Sequence, residues 1–247
     1  MSKAFQFLLD LGISVSKDPH VDCLLGLGSM SETSRMDEYS DMDFFLIVEK
    51  GFKQHYIDDL SWLAIRPIVF RFKNTKDGHK VLFDNDVFAE FAIFEKEELP
   101  EIGFTEGKII YQKNGFDEQW VTPRKVPIYK PKSVDFLVNE SLSNLYIGLK
   151  RECRGEHASA FSFIQVYAAS LIVELFDHVY EQKKALIDPY VFERRIENRF
   201  TEAFDVLSQM KQGYLNNKAS AKAALAFLNT HFKVNQSIYQ RILDLAE

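Results

Sequence analysis

Cysteine is nearly missing from this chain of 247 residues: Cys23 and Cys153 are the only two. That number does not support a disulfide framework, and a reducing, cytoplasmic compartment is the expectation. Basic residues are in the minority, 30 Lys and Arg against 36 Asp and Glu, for a net charge of −6. A protein that coats nucleic acid needs a basic face, so this balance argues against nucleic acid as a partner, although a nucleotide substrate remains compatible with it. The N-terminal apolar segment Phe5–Ile13 is too short for a membrane span, and it lacks the basic start and small-residue cleavage site of a signal peptide, so no membrane association is expected. Internal repeats and low-complexity tracts are also missing.

Apolar side chains are plentiful, at 46% of the residues and with 22 phenylalanines. At this length a single core usually stops growing, and two domains are expected. The stretch TPRKVPIYKPKS, Thr122 to Ser133, carries three prolines and a basic cluster, which deny it both a helix interior and a central strand. It reads as a linker, and the expected domains are 1–125 and 126–247.

Before the linker the pattern is mixed. Phe5, Leu8, Leu9 and Leu11 suit an amphipathic helix packed on a sheet. Tyr56, Ile57, Leu60 and Leu63 have helical spacing, whereas RPIVFRFK (Arg66–Lys73) alternates like a strand and Lys80–Phe83 is a short strand candidate. After the linker everything reads as helical: a run capped by Ser133 through Arg154, a nearly all-apolar run over Ala158–Tyr180, and a helix opened by Asp188 and Pro189. Three more follow near Phe200–Met210, Ala219–Phe232 and Asn235–Ala246. The expected class is α+β, a mixed sheet with flanking helices followed by a C-terminal helical bundle.

The most informative stretch is LLGLGSMSETSRMDEYSDMDFFLIVE, Leu24 to Glu49. It reads as a buried strand, a small-residue turn at Gly28 and Ser29, a polar loop, and a second strand opening with Asp41 and Asp43. Side chains two apart on a strand point the same way, about 6–7 Å from each other. Two carboxylates that close repel one another, and a divalent cation is the usual way to stabilise them. Further on, DVFAEFAIF (Asp86–Phe94) places Glu90 alone within an apolar strand, where an unpaired carboxylate is costly. Asp84 and Asp86 are its rivals as a third carboxylate. Each of these features also has an ordinary structural explanation, as a capped turn, a solvated strand start or an edge-strand charge.

An apolar residue followed by Gly-Ser, a gap of eleven residues, then Asp-Met-Asp between apolar residues resembles the signature of the DNA polymerase β-like nucleotidyltransferases. YSDMDFFLIVE is most similar to their antibiotic-modifying branch, the lincosamide and aminoglycoside enzymes. The resemblance implies a nucleotidyltransferase fold and two Mg²⁺ ions held by Asp41, Asp43 and Glu90. It also implies a nucleoside triphosphate, with ATP the expected one, whose phosphates meet Gly28, Ser29 and Arg35. Arg71 and Lys73 are weaker phosphate candidates. The implied reaction moves a nucleoside monophosphate to a hydroxyl of a small acceptor, a lincosamide or aminoglycoside being the specific expectation, and a homodimer is compatible with the branch.

The segment Lys150–Ala158 is similar to a basic-Gly-Glu corner in the helical domain of those enzymes. It makes Glu156 a base candidate and Arg154 or Lys150 phosphate contacts. Arg151 and His157 also fit the spacing of the ribonuclease motif of HEPN helical domains, a rival reading of that corner. Two alternatives to antibiotic modification stay open: a protein nucleotidyltransferase of the toxin–antitoxin kind, and a nucleotide-binding module without turnover.

Overall fold

A computed structural model describes residues 2–32, 36–184, 187–188 and 191–247. The chain divides into two compact units, Met1–Pro127 and Ile128–Glu247.

The first unit opens with helix α1 (Lys3–Val15), capped by the Ser2 hydroxyl, which accepts a hydrogen bond from the Phe5 amide. Strands β1 (Val21–Gly26) and β2 (Met42–Val48), helix α2 (Lys53–Asp58), and strands β3 (Ile68–Lys73), β4 (Gly78–Phe83), β5 (Phe88–Glu95) and β6 (Lys108–Gln112) follow. Together the strands make one mixed sheet in the order β3-β4-β5-β2-β1-β6. All pairings are antiparallel except β2 with β5.

The period-two pattern divides the sheet's two faces. Met42, Phe44, Leu46, Val48, Ala89, Phe91 and Ile93 join Leu8 and Leu11 of α1 in the main core of the unit. On the other face Cys23, Leu25, Ile47 and Phe94 form a smaller cluster with Leu99, Phe104 and Val121. Asp43 and Glu90 share that second face, set by alternation with Ile47 and Phe94. Strand β6 was not foreseen from the sequence, although Gly107 before it and Asn114-Gly115 after it bracket its apolar Ile109, Ile110 and Tyr111.

The second unit contains α3 (Val134–Cys153), α4 (His157–Phe161), α5 (Ala169–Glu174), α6 (Ile196–Arg199), α7 (Ala203–Met210), α8 (Asn217–His231) and α9 (Gln236–Ala246). Ser133 caps α3 by accepting from the Phe136 amide. A π-helical segment, Ser162–Ala168, joins α4 to α5. It places Gln165 in the core, where its Nε2 donates to the Gly213 carbonyl and to Asn217 Oδ1, both at 2.8 Å.

His157–His178 is long and apolar enough to cross a membrane by composition. Ile164, Ala168, Ile172, Val173 and Leu175 of that stretch are nevertheless buried in the core of the helical unit.

One helix differs from the sequence reading. Asp188 does accept from the Val191 amide at 3.1 Å, while Pro189 lies outside the described residues. A continuous helix does not follow: Arg195 has a left-handed backbone (φ 62°), and the four-residue α6 that comes after it ends at an extended Phe200.

Candidate active site

The site is built around the end of β1. After Gly26 the chain makes a short 3₁₀ turn, Gly28–Met30, entered through a left-handed Gly28 with φ 54°. A glycine is needed there for two reasons. L-residues with a Cβ disfavour that conformation, and a Cβ on Gly28 would lie 2.9 Å from Asp43 Oδ2. The Leu27 amide donates to the Asp43 carbonyl at 2.8 Å, and Ser29 Oγ reaches the Asp41 carbonyl at 3.5 Å. The turn is thereby fastened to both aspartates of the Asp-Met-Asp step. Arg35, the proposed phosphate contact, lies outside the described residues.

The parallel ladder places Glu90 directly beside Asp43 on β5. Asp84 and Asp86 lie in the β4–β5 turn instead. Arg66 Nε donates to Asp84 Oδ1 at 2.8 Å, and Asp86 has φ 65°. Of the three rival carboxylates, Glu90 is the one that the register sets beside Asp43.

Glu90 already has partners that the sequence did not reveal. Lys80 stands opposite it on β4 and pairs with its Oε2 at 2.9 Å, and Asn74 Nδ2 donates to its Oε1 at 2.8 Å. Among the described residues no three His, Cys, Asp or Glu side chains are gathered so as to hold a metal ion. The expected ligand set of Asp41, Asp43 and Glu90 is thus not assembled in this conformation. The Glu90 carboxylate instead has the Lys80 ammonium as its counter-charge and accepts a hydrogen bond from the neutral Asn74 amide.

The donor chemistry nevertheless suits Mg²⁺, since all three groups offer hard oxygens. Beside Glu90, the buried Asn74 Oδ1 has no hydrogen-bond partner. A further oxygen acceptor thus stands unsatisfied at this place, which is costly in a folded interior unless something polar meets it.

The helical unit's candidates occupy the corner between α3 and α4. Arg154 pairs with Glu156 at 3.2 Å, and both side chains are substantially exposed, with a left-handed Gly155 between them. Lys150 lies over the Tyr146 ring. Arg151 and His157 have separate partners: Arg151 donates to Ser159 Oγ and stacks on Phe163, whereas His157 Nδ1 is 2.9 Å from Glu152 Oε1. Asn217 Nδ2 donates to the other oxygen of Glu152 at 2.8 Å.

No family model and no curated protein matches the chain. Among solved structures it is similar to an aminoglycoside 6-adenyltransferase from Bacillus subtilis at 13% identity, over 97% of this chain and 95% of that one, with a TM-score of 0.37. It is also similar to a nucleotidyltransferase-like protein from Exiguobacterium sibiricum at 9% identity, over 96% of this chain and 74% of that one, with a TM-score of 0.30.

Proposed function

We propose that this chain is a cytoplasmic, Mg²⁺-dependent nucleotidyltransferase that moves a nucleoside monophosphate from a triphosphate, with ATP the expected donor, to a hydroxyl of a small acceptor. A lincosamide or aminoglycoside is the acceptor we favour. One observation carries the reading: the left-handed Gly28 turn is seated against the Asp43 carboxylate while Glu90 stands in register beside Asp43. A tight turn, an aspartate pair and a third carboxylate therefore meet at one end of one sheet.

Asp41 and Asp43 would hold Mg²⁺, with Glu90 as the third carboxylate on that face. Bound there, the metal supplies the positive charge needed to bring the acceptor oxygen to the α-phosphorus and to offset the charge of the departing pyrophosphate. The new bond joins the acceptor oxygen to the α-phosphorus, and the bond from that phosphorus to the bridging oxygen breaks. The hydroxyl proton needs an acceptor. Glu90, partly exposed beside Asp43, is the carboxylate we assign to take it. Gly28 lets the backbone approach the phosphates, and Ser29 keeps that turn fixed to Asp41.

The test is a transfer assay with Mg²⁺, each of four α-labelled nucleoside triphosphates, and a panel of lincosamides and aminoglycosides. Wild type is expected to label an antibiotic. Asp43→Asn should keep its far-ultraviolet circular dichroism and lose transfer by about 10²–10³-fold, the scale of removing one group that stabilises transition-state charge. Undiminished turnover in Asp43→Asn would refute the site. Label on a protein would move the acceptor class to side chains, and triphosphate binding without any labelling would make the chain a binding module.

A further inference from the structure

The sheet face that carries Asp43 and Glu90 continues outward across β4 and β3. Register partners share a face, so Asp43, Glu90, Lys80 and Phe72 form one row over four neighbouring strands. The adjacent row runs Phe88, Leu82, Phe70. Leu82 and Phe88 are partly buried, whereas Phe70 and Phe72, on the edge strand, are 50% and 46% exposed. Their ring centroids are 5.7 Å apart with planes inclined at 57°.

Half-exposed phenylalanines side by side form a small apolar patch on an edge strand that is otherwise charged at Arg71 and Lys73. We propose that Phe70 and Phe72 form a shelf for the base of the nucleoside triphosphate, which stacks on one ring and meets the other, inclined ring at its edge, with Lys80 between the shelf and the carboxylates. This inference rests on the nucleotidyl-transfer reading and names its base subsite.

Two features support a base rather than a protein. The exposed area of the two rings totals about 200 Å², well under the roughly 800 Å² per partner of a stable protein interface. It matches the size of one planar ring system. Three strand spacings separate Asp43 from Phe72, about 14 Å between Cα positions, of the order of a nucleoside triphosphate's own length. Stacking on aromatic rings tolerates every base because each has a π-face.

The discriminating experiment measures equilibrium binding of Mg-ATP and of Mg-tripolyphosphate, which has no base, to the full chain. The expected result is that Phe70→Leu/Phe72→Leu weakens ATP binding about 10-fold or more and leaves tripolyphosphate binding unchanged. Phe70→Tyr/Phe72→Tyr, which keeps both rings, should bind ATP like wild type, and its success would exclude simple disruption of the edge strand. A leucine pair that binds ATP as tightly as wild type overturns the shelf and leaves the transfer reading intact. Wild type that binds neither probe would overturn the transfer reading itself, and the shelf with it.

Discussion

Replacing Gly28 with alanine tests the site through its tightest contact. The substitution has two separable costs. The backbone cost of holding an L-residue in the left-handed region is about 1–2 kcal/mol, which lowers the melting temperature of a chain of this size by a few degrees. The second cost is local: the new methyl would lie 2.9 Å from Asp43 Oδ2, so the turn or the carboxylate must shift.

Gly51 and Gly115 provide controls. They have φ values of 90° and 83°, further from the left-handed minimum near 57°, and an added methyl at either meets nothing within 4 Å. Alanine at Gly51 or Gly115 should therefore cost at least as much backbone strain and leave the aspartates untouched. Urea unfolding would report the stability loss, and the labelled-triphosphate assay the transfer rate. We expect all three variants to lose comparable stability and only Gly28→Ala to lose transfer, by about 10²-fold or more if Asp43 is displaced. Equal activity in Gly28→Ala and Gly115→Ala would refute the claim that the turn and Asp43 act as one unit.

Three further outcomes are expected. A methyl on Gly148 of α3 would lie 2.6 Å from Ile164 Cγ1 and 3.1 Å from Phe163 Cβ, so Gly148→Ala should overpack the helical unit and lower its stability by about 1–3 kcal/mol; an unchanged urea midpoint would contradict that packing. Burial holds the His79 imidazole below its usual 6.5, against a hydrogen bond with the Ile57 carbonyl. The unfolded chain then binds that proton more readily, so His79's share of stability is complete above pH 6.5 and declines as pH falls from there toward the folded value. His79→Gln should flatten urea midpoints across that range, and an unaltered slope would count against it. Burial first, then Asp22 and Glu118, pushes the Cys23 thiol up to about 12, so a disulfide exchange reagent at pH 8 should modify the exposed Cys153 quickly and Cys23 only after denaturation; two equally fast thiols would overturn the burial of Cys23.

Local signals carried much of the architecture. Period-two alternation in Asp86–Phe94 placed Glu90 opposite the main core because β5 has two distinct apolar faces. Ser133 marked the start of α3 because a hydroxyl that accepts from an amide three residues on is a local device. The charge balance of Glu90 was not legible, since Lys80 and Asn74 come to it only through the β4–β5 register and the chain around it. No spacing rule gives that pairing. The π-helical step at Ser162–Ala168 was equally hidden, because its apolar residues continue the periodicity of the helices on either side. Asp188 has the side chain of a helix cap and bonds as one, but the backbone reversal at Arg195 depends on tertiary packing that no single residue announces.

The one parallel pairing in the sheet has a consequence in time. β1 and β2 pair across the fifteen residues 27–41, so the Gly28 turn and Asp43 can come together as soon as residues 21–48 are free of the ribosome. Glu90 is 47 residues further on than Asp43, and at about 5–20 residues per second its strand follows roughly 2–9 s later. For that interval β2 has an open edge where β5 will dock, and a strand pair alone is only marginally stable in water. Docking β5 on that edge sets Glu90 beside Asp43, while the sheet itself closes only later, when β6, Lys108–Gln112, reaches the far side of β1.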